Sequence, residues 1–545
     1  MEWTIGSIIQ RRYVLNYFDI LIIQKWYKKM KRFSDCEFEI YYKKFKDFTL
    51  KIDEKWAIYG TGVGAEIVFE ILCKENLLRC LYSVIDQDKN LEQIIDFHGF
   101  KVVPLRESFK EIDGIIIASM DYHEEIEKRI EKFYRSESRK KPKIINLFAH
   151  STVDEIRQYT RYIESVYNQG TKKDFIPYDS KGVGLAQNDT KVIAWYLPQF
   201  HRIDINDKYY GRGFTEWSNV ATTIPMFCGH YQPHVPIDLG YYNLNDPDVF
   251  PRQIELAKHY GISGFSFYYY WFSGQRIMEK PLYYYHNHPE LDMKYCFTWA
   301  NENWSALWDG GDKDLIFEQH LEADDDKKFV YDLLPFLSDK RYIRINNKAL
   351  LIIYRPNIWS KKRFKLFADN IRNEAIKCGV GDFYIGLCNA RGFDENVSDW
   401  GADALIEFPP HQIYDLMPYV RIDGYLNPNF VGRIKDTSDF IKNKLYLMPH
   451  NSMTYYRGAM PYWDNTARKA YSGAVVYKDL TPETFCTWLT DIIAESKKIH
   501  SEEENIVFVN AWNEWAEGSH LEPDERYGYA NLSAVKRAIL CNRNK

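Results

Sequence analysis

Several common classes of protein are excluded by what this sequence lacks. It has no run of about 18 apolar residues, so no transmembrane helix is predicted. Its nine cysteines are scattered, without a CxxC pair or a Cys/His cluster at metal-binding spacing, so neither a disulfide framework nor a metal site is expected. The formal net charge is only -5, which gives no reason to expect a nucleic-acid partner. The first residues lack a small-residue cleavage site, so no signal peptide is recognised and a cytoplasmic location is expected.

Residues 1–50 form a predicted helical segment with a basic stretch. Apolar residues at helical spacing between Val14 and Trp26 lead into the basic run KWYKKMKR at 25–32. A helix of this kind can associate peripherally with an anionic membrane surface, such as the inner surface of a cell membrane. It can also pack on its own protein and leave its basic end in water, and the sequence leaves both alternatives open.

Residues 51–150 alternate short apolar strands with helices, and 545 residues are enough for two or three domains. The turn GTGVGA at 60–65 fits GxGxxA and lies between a predicted strand and a predicted helix. This pattern predicts a Rossmann-like, doubly wound domain that binds a nucleotide or nucleotide sugar. The alternative is a domain that keeps the tight turn for packing and has lost its ligand. The predicted ligand-binding residues are Gly60, Gly62, Gly64 and Asp86.

Residues 151–188 begin with a helical pattern and end in a polar stretch, which predicts a helix and a linker. A second alternation of strands and helices occupies residues 189–545. With helical patterns between them, eight strands over about 350 residues predict a (β/α)8 barrel, so the expected fold class is α/β. The predicted strands are 192–197, 264–270, 294–300, 349–354, 383–388, 404–408, 444–449 and 506–511.

Polar and aromatic residues follow nearly every predicted strand of this region. The C-terminal ends of barrel strands converge on one cup, so residues far apart in sequence become neighbours there. The chain has 42 Tyr and 15 Trp, whose flat amphipathic faces suit sugars. The predicted substrate-binding residues are Gln199, His201, Trp271, Asn301, Glu302, Trp304, Arg355, Glu407, Trp463 and Asn513.

Two carboxylates follow the last predicted strand. The apolar run from Ile506 to Val509 leads directly into NAWNEWAEG, which places Glu514 and Glu517 three residues apart beyond a strand end. If the turn is helical, both side chains share a face and reach one ligand. Close carboxylates push their pKa values apart, so one can deprotonate a hydroxyl while the other protonates a leaving oxygen. Glu514 and Glu517 are therefore the predicted catalytic residues.

Some of these residues also have a structural interpretation. The segment WANENW at 299–304 can form a sugar-binding wall or a buried polar network that holds its loop. Glu407 can contact substrate or form a salt bridge with Arg355 or Arg391. Asp464 and Arg468 are expected to form a structural pair that could close a loop over the site.

The barrel region resembles a known family. Its motifs are similar to those of the WbsX-type proteins, whose domain is similar to glycoside hydrolase family 99. The resemblance covers 191–530 and leaves the first 190 residues aside. The motifs that carry it are AWYLPQFH (194–201), GFTEWSNV (213–220), GHYQPHVP (229–236), YGISGFSFYYYWF (260–272), WANENW (299–304), WDNTAR (463–468) and NAWNEWAEGSHLEPD (510–524).

This resemblance implies a role in bacterial surface polysaccharide biosynthesis, where WbsX-type proteins are often labelled glycosyltransferases. Family 99 comprises retaining endo-acting α-mannosidases and α-mannanases on (β/α)8 barrels, with the motif NEWHEG where this chain has NEWAEG. The resemblance implies that Glu514 deprotonates the substrate 2-hydroxyl to give a 1,2-anhydro sugar. It implies that Glu517 protonates the leaving oxygen and then activates the incoming water or alcohol. Ala516 replaces the histidine of the motif, which could remove a substrate contact.

The expected function is therefore cleavage or transfer of a glycosidic bond, with retention, in an oligo- or polysaccharide of the O-antigen or capsule type. The sequence does not decide between hydrolase and transferase, and it gives neither the sugar nor the oligomeric state. No cofactor is expected for the barrel chemistry. The alternatives are a nucleotide-sugar-dependent glycosyltransferase and a non-catalytic glycan-binding or scaffold protein of a polysaccharide assembly complex.

Overall fold

The structure is a computed structural model. It describes residues 35–51, 53–86, 96–98, 100–119, 122–149, 174–227, 229–305, 315–322, 324–420, 426–427, 430–452, 454–469 and 473–543. The predicted basic helix near the N-terminus and the predicted helix that opens the 151–188 segment lie outside these residues. The chain divides into two compact units, Met1–Arg161 and Tyr162–Lys545.

The first unit contains a six-stranded sheet covered by helices on both faces. Neighbouring strands run parallel except for one antiparallel pair at an edge. The central strands are apolar and buried along their length, as expected when helices cover both faces. In spatial order the strands are Asp96–Phe97, Phe100–Val103, Leu81–Ile85, Trp56–Tyr59, Gly114–Ile117 and Lys143–Asn146. The helices are Asp35–Phe45, Val63–Lys74, Leu105–Ser108 and His123–Ser136, with a 3-10 turn at Leu78–Cys80.

The second unit is built on a nearly closed, barrel-like sheet of parallel strands. Each strand pairs with the next one along the chain, and the last pairs with the first. The seventh is interrupted: its first half pairs with the sixth strand and its second half with the eighth, so it brings the two edges together. The strands are Lys191–Tyr196, Ile262–Phe272, Lys294–Trp299, Lys348–Ile353, Phe383–Asn389, Ala404–Glu407, Tyr455–Tyr456 with Gly458–Ala459, and Ile506–Val509.

Helices follow most of these strands. Between the fifth and sixth strands, residues 390–403 contain only the 3-10 turn Val397–Trp400, so the predicted (β/α)8 layout is met only in part. No helix in the described part of the chain is both long and apolar enough to cross a membrane. The α-helices are Asp204–Tyr210, Glu216–Thr222, Val249–Tyr260, Lys280–Asn287, Asp325–Leu337, Lys361–Lys377, Ser438–Lys442, Thr466–Lys469, Pro482–Ile499 and Ala530–Cys541. Short strand pairs and 3-10 turns complete the unit, among them Asn513–Glu514 with Ser519–His520, Arg433–Asp436 with Val475–Lys478, Trp304–Ser305 with Leu315–Phe317, Pro356–Ile358, His411–Leu416 and Trp515–Glu517.

One predicted strand is wrong. Residues 444–449 contain the 3-10 turn Leu445–Leu447, in which Tyr446 packs between rings of two helices. The seventh strand lies instead at 455–459, where Arg457 breaks the apolar pattern. Arg457 is buried because it binds two carboxylates, and hydrophobic periodicity cannot reveal a buried ion pair.

The interior of the barrel is filled by side chains rather than open. Trp195 from the first strand packs against Phe408 and Phe508, with ring centroids 4.5 and 5.1 Å away. Its Nε1 donates to Thr298 Oγ1 at 3.0 Å, so the one polar atom of the ring is satisfied. A ligand therefore has to bind at an end of the barrel, where the loops lie.

Candidate functional site

Three glutamates, two of them buried and Glu517 partly exposed, converge on one arginine at the C-terminal end of the barrel strands. Arg468 places Nη1 2.6 Å from Glu517 Oε1 and Nη2 3.2 Å from Glu514 Oε2. Its Nη2 also lies 2.6 Å from Glu216 Oε1, and its Nε donates to that oxygen at 3.1 Å. We call these four residues the Arg468 cluster. The two predicted catalytic carboxylates face one guanidinium, together with a third acid that the sequence analysis did not select.

The turn after the last barrel strand positions both predicted carboxylates. Glu514 belongs to the antiparallel pair Asn513–Glu514 with Ser519–His520. Trp515–Glu517 is a 3-10 turn, which Gly518 closes with a φ of 65°. Residues i and i+3 eclipse one another in 3-10 geometry, so Glu517 lies on the same side as Glu514. The turn that the sequence analysis treated as helical is therefore a 3-10 turn.

Asn513 ties this turn to the first barrel strand. Its Oδ1 accepts from the Leu197 backbone N–H at 2.7 Å, and its Nδ2 donates to the Leu197 carbonyl at 3.1 Å. The same Nδ2 donates to Tyr242 Oη at 3.1 Å. Both ends of the amide are engaged within the protein and hold the backbone next to Glu514, while the predicted substrate contact of Asn513 stays a prediction.

Glu216 is the residue of this cluster that sequence reasoning missed. It starts the helix Glu216–Thr222, where Thr215 and Ser218 form a capping box. Acids are favoured in the first turn of a helix by its dipole, so Glu216 resembles an ordinary helix start. Its side chain is fully buried, and its Oε2 has no hydrogen-bond partner among the described residues. The only earlier indication is its place in the motif GFTEWSNV.

The cluster has more acids than cations, and this raises its proton affinity. Burial, reinforced by Glu517, raises the pKa of Glu514 to about 8, although Arg468 opposes the shift. Burial also raises the pKa of Glu517, again against Arg468. Burial alone would lower the pKa of Arg468, but Glu216 and the other two carboxylates raise it well above its ordinary value. The cluster therefore keeps a proton near neutral pH.

Tyrosines and an amide line the space beside Glu514. Burial, with help from Glu514, raises the pKa values of Tyr268 and Tyr270 on the second barrel strand. Gln199 donates from Nε2 to Tyr270 Oη at 2.7 Å, while its buried Oε1 has no partner in the described part of the chain. Trp304 packs on Tyr270 with ring centroids 5.4 Å apart. Such groups can bind sugar hydroxyls and pack on a sugar face.

A second charged group lies beside Glu517. Glu302 Oε1 is 2.7 Å from Arg355 Nη1 and 3.7 Å from Arg391 Nε. Although burial would lower it, the pKa of Arg391 is raised by its neighbours, which include Glu302 and Glu517. The two arginines therefore pair with Glu302, and of the two alternatives for Glu407 a salt bridge with these arginines is not formed.

Asn301 holds the backbone of Arg355 in this charged group. It is fully buried and exchanges two hydrogen bonds of 2.8 Å with the backbone of Arg355. The segment WANENW thus forms a buried polar network through its first Asn, and it presents its glutamate toward the site. The structure thus shows the buried polar network, and sugar binding by Glu302 stays a prediction.

Two predicted substrate contacts are fully buried, and one of them, Trp271, faces away from the Arg468 cluster. Trp271 is fully buried, donates from Nε1 to Asp332 at 2.7 Å and packs on Phe329 of a neighbouring helix. The second strand continues to Phe272, so alternation turns Tyr270 toward the site and Trp271 toward the helices. His201 is also fully buried, and burial lowers its pKa to about 4.

Glu407 belongs to a separate cluster. Its Oε1 lies 2.7 Å from both Arg457 Nη1 and His450 Nε2, and its Oε2 accepts from the Gly458 N–H at 2.8 Å. Arg457 also binds Glu495 at 2.6 Å. We call Glu407, His450, Arg457 and Glu495 the Arg457 cluster. With both oxygens engaged, Glu407 holds the sixth and seventh strands together.

The expected pair of Asp464 with Arg468 is wrong. Asp464 lies 2.6 Å from His230 Nε2 and accepts from Gln232 Nε2 at 2.8 Å. Burial would raise the pKa of Asp464, but His230 and other donors lower it to about 2. Trp463, a predicted substrate contact, is buried in the main core. This segment fixes the loop that carries Arg468 into its cluster.

The glycine turn of the first unit has two kinds of glycine. Gly60 has a φ of 121°, and a Cβ on Gly64 would lie 2.5 Å from a backbone carbonyl oxygen, so turn geometry and close packing require both. A Cβ on Gly62 would meet no atom of the described residues within 4 Å, so among them the space beside it is open. Asp86 accepts a hydrogen bond from the Thr61 hydroxyl. The turn can therefore admit a ligand at Gly62.

One group outside the Arg468 cluster has side chains that could hold a metal ion. The potential ligand atoms of His234, His520 and Asp524 lie within 4.8 Å of one another, and all three residues are buried. His234 Nδ1 and His520 Nε2 are 2.8 Å apart, a hydrogen-bond distance. The sequence spacing of the three had given no indication of this grouping.

Comparison with known proteins identifies the family of the second unit. The family model described as glycosyltransferase WbsX matches residues 192–535. The chain belongs to the WbsX family. The resemblance predicted from the motifs is thereby confirmed. A second family model, described as C2185-like, N-terminal, matches residues 52–140.

Relatives and solved structures similar to this WbsX-family chain were also found. Two relatives named "Uncharacterized protein WxcX", from two strains of Xanthomonas campestris pv. campestris, are each 37% identical over 349 residues. The match covers 64% of this chain and 49% of each relative, so the chain spans about half the length of those relatives. A glycoside hydrolase-like protein is similar with a TM-score of 0.41 and 14% identity, covering 67% of this chain and 98% of that one. A family 99 endo-α-mannosidase from Bacteroides thetaiotaomicron gives a TM-score of 0.39 and 13% identity, covering 66% and 99%.

Proposed function

We propose that this WbsX-family protein is a glycan-active enzyme of bacterial surface polysaccharide metabolism, of the O-antigen or capsule type, that cleaves or transfers a glycosidic bond with retention. The Arg468 cluster carries the proposal: the buried Glu514 and the partly exposed Glu517, both with raised pKa values, face one guanidinium at the C-terminal end of the barrel. Groups perturbed in this way, at this end of a barrel, are typical of catalytic sites. The description of the family as glycosyltransferases also supports it.

In the proposed mechanism the two carboxylates have different tasks. Glu514 takes the proton of the sugar 2-hydroxyl, and O2 attacks C1 while the bond from C1 to the leaving oxygen breaks. Glu517 gives its proton to that oxygen, which leaves a 1,2-anhydro sugar. Glu517 then takes a proton from water or an alcohol whose oxygen attacks C1 while the C1–O2 bond breaks, and Glu514 returns its proton to O2. Two inversions at C1 give net retention.

The proton has to be on Glu517 when the reaction starts. The free structure favours the reverse, because Arg468 lies 2.6 Å from Glu517 but 3.2 Å from Glu514, whose pKa is about 8. A 2-hydroxyl that donates to Glu514 stabilises its charged form. Substrate binding therefore moves the proton within the pair, and Glu216 competes for Arg468 while this happens.

Replacing the acid/base residue tests the proposal. We expect Glu517→Gln to lower turnover of a bacterial surface oligosaccharide by about 100- to 10,000-fold, the usual contribution of general acid–base catalysis. The matched control is Glu255→Gln, an exposed glutamate on the helix Val249–Tyr260. Unchanged turnover in Glu517→Gln would refute the catalytic assignment. Binding of the glycan without turnover in the wild-type protein would favour a scaffold function.

Hydrolysis and transfer differ only in the acceptor that reaches the anhydro sugar. Mass spectrometry of products formed in oxygen-18 water separates the two, because hydrolysis labels the new reducing end and transfer to an added alcohol does not. Formation of either product with the opposite anomeric configuration would contradict the retaining mechanism.

For the first unit we propose a Rossmann-like domain that binds a nucleotide or nucleotide sugar. Support comes from the open space at Gly62 and from the helix Val63–Lys74, whose N-terminus directly follows the turn. The test is a thermal-shift series with UDP, GDP, their hexose conjugates and NAD, with Gly62→Val as the control variant. A series without any shift would refute the ligand but not the chemistry of the barrel.

We further propose that the second unit is a (β/α)8 barrel variant without a helix after its fifth strand, and that the segments 1–50 and 151–188 flank a Rossmann-like domain at 51–150. A cytoplasmic protein with peripheral membrane contact through the predicted basic helix is part of this proposal. Flotation of the full chain with vesicles of phosphatidylglycerol, compared with vesicles of phosphatidylcholine alone, tests that contact. Equal recovery with both kinds of vesicle would contradict it.

A further inference from the structure

A fourth buried carboxylate lies directly behind the turn that carries Glu514. Glu522 is 4% exposed and accepts four hydrogen bonds. Its Oε1 accepts from Trp512 Nε1 at 3.0 Å and from Gln253 Nε2 at 2.7 Å. Its Oε2 accepts from Trp515 Nε1 at 2.7 Å and from Tyr242 Oη at 3.0 Å. Among the described residues it forms no ion pair, so neutral donors alone hold this carboxylate.

The donors of Glu522 reach the residues on both sides of Glu514. Trp515 follows Glu514 directly, and its indole N–H has Glu522 as its acceptor. Tyr242, while donating to Glu522, also accepts from Asn513, which precedes Glu514 and clamps the turn to the first barrel strand. The backbone of Glu514 is thus held from both sides by groups that end on one carboxylate.

We propose that Glu522 is a positioning residue, which fixes the orientation of Glu514 through the Trp515 indole and through Tyr242 with Asn513. A carboxylate has about four acceptor sites, and here all four are used. An amide in its place would turn an N–H₂ group toward at least one N–H donor, the Trp515 indole or the two donors of Oε1, and lose that bond. Glutamine therefore cannot accept all four hydrogen bonds that the Glu522 carboxylate accepts.

Burial of this carboxylate has a cost that the donors offset. Burial raises the pKa of Glu522 to about 7, although its four donors oppose the shift. The fold therefore keeps an ionisable group where an apolar side chain would cost less free energy to bury. A positioning function gives a reason for that choice, because charged acceptors form the stronger and better-directed hydrogen bonds.

The catalytic consequence rests on the proposed function, so the first measurement is independent of activity. The groups that face Glu514 are Glu517, Glu216, Arg468, Tyr268 and Tyr270. If Glu522 releases the turn, water reaches Glu514 and its pKa falls toward the ordinary value. The melting temperature between pH 7 and 8 should then lose the dependence that Glu514 causes.

A double-mutant cycle measures this coupling. We expect Glu514→Gln to flatten the pH dependence of the melting temperature in the wild-type background and to change little in a Glu522→Gln background. Equal flattening in both backgrounds would overturn the proposal. Glu255→Gln on the helix that also carries Gln253 is the matched control and should leave the cycle unchanged. This result is obtained even if no glycan is ever turned over, so it is separate from a failure of the proposed function.

The second measurement uses the oligosaccharide that the wild-type protein turns over. We expect Glu522→Gln to lower kcat by about 10- to 100-fold with little change in KM and to shift the pH profile of kcat, since a small misplacement of a catalytic group has effects of that size. If Glu522→Gln does not fold, Tyr242→Phe removes only the hydroxyl that joins Glu522 to Asn513, and the same shift is expected at smaller size. Wild-type kcat and pH profile in folded Tyr242→Phe and Trp515→Phe would both contradict the positioning role.

Discussion

The second unit contains two buried clusters of arginine and glutamate at neighbouring strand ends, and they differ in their balance of charge. In the Arg457 cluster, two carboxylates meet one arginine and a histidine whose pKa Glu407 raises against the effect of burial. In the Arg468 cluster, three carboxylates meet one arginine, and the pKa of Glu514 is raised to about 8. A balanced cluster joins strands, whereas an excess of acid holds a proton that chemistry can use.

The two clusters also differ in how completely their hydrogen-bond acceptors are satisfied. Both oxygens of Glu407 have partners within the protein. Glu216, in contrast, has a buried oxygen without a partner among the described residues, and Gln199 nearby has another. Unmet acceptors beside carboxylates with raised pKa values mark a place where a hydroxyl-rich ligand completes the hydrogen bonding.

Removal of the arginine from the balanced cluster should have the largest effect. Arg457→Met leaves Glu407 and Glu495 buried without their cation, and breaking a buried pair in this way costs about 3–5 kcal/mol. We expect the free energy of unfolding of the second unit to fall by that amount, measured by urea unfolding with tryptophan fluorescence. Arg372→Met, at a less buried pair with Asp403, is the control and should cost less. Equal losses in the two variants would mean that the Arg457 cluster is not a structural centre.

Neutralising one glutamate in each cluster should change stability in opposite directions. Glu407→Gln turns an amide N–H₂ toward donors and should lower the free energy of unfolding by about 1–3 kcal/mol. Glu514→Gln removes a negative charge from a cluster that has an excess of them, and its amide oxygen can still accept from Arg468. The substitution should therefore raise the free energy of unfolding at pH 8 by about 1–3 kcal/mol. Unfolding curves for both variants at pH 8 decide the point. Destabilisation by both would remove the contrast between the clusters.

Most of the barrel could be predicted because its strands are continuous apolar runs separated by helical patterns and polar loops. The seventh strand could not, since Arg457 interrupts it and its stability comes from an ion pair rather than from apolar residues. At the end of the second strand, Trp271 was the predicted contact, but its neighbour Tyr270 faces the site. Strand side chains alternate between faces, so an error of one residue selects the wrong face.

The candidate site could be predicted where residues that are close in the structure are also close in sequence. Glu514 and Glu517 follow one strand, so a local pattern indicates both. Glu216 lies in a different loop and has the sequence context of an ordinary helix start. Arg468 was predicted to pair with Asp464, which is close in sequence, but it binds Glu216 instead. These residues meet at Arg468 only because the barrel brings distant strand ends together, and the spacing of residues in the sequence does not indicate that.

The pH dependence of stability gives the smallest and most specific test of the contrast. The pKa of Glu514 is raised from its ordinary 4.5 to about 8 in the folded chain, so between those values the folded state binds a proton that the unfolded chain has released. This stabilisation is full below the unfolded pKa and is lost as the pH rises through 8. Buried histidines whose pKa values are lowered, such as His201 and His411, affect stability only below about 6.5, their unfolded pKa.

From pH 6.5 to 8 we therefore expect the free energy of unfolding to fall as the pH rises, by at most about 1.4 kcal/mol per pH unit for one proton. Glu522, whose pKa is raised to about 7, adds to the lower part of this range. Glu514→Gln should remove the dependence near pH 8, whereas Glu255→Gln, at an exposed site on another helix, should leave the slope as in the wild-type protein. Urea unfolding at half-unit pH steps measures it. A wild-type slope in Glu514→Gln would mean that the proton of the Arg468 cluster is held elsewhere, and the assignment of the excess acid to this pair would have to be abandoned.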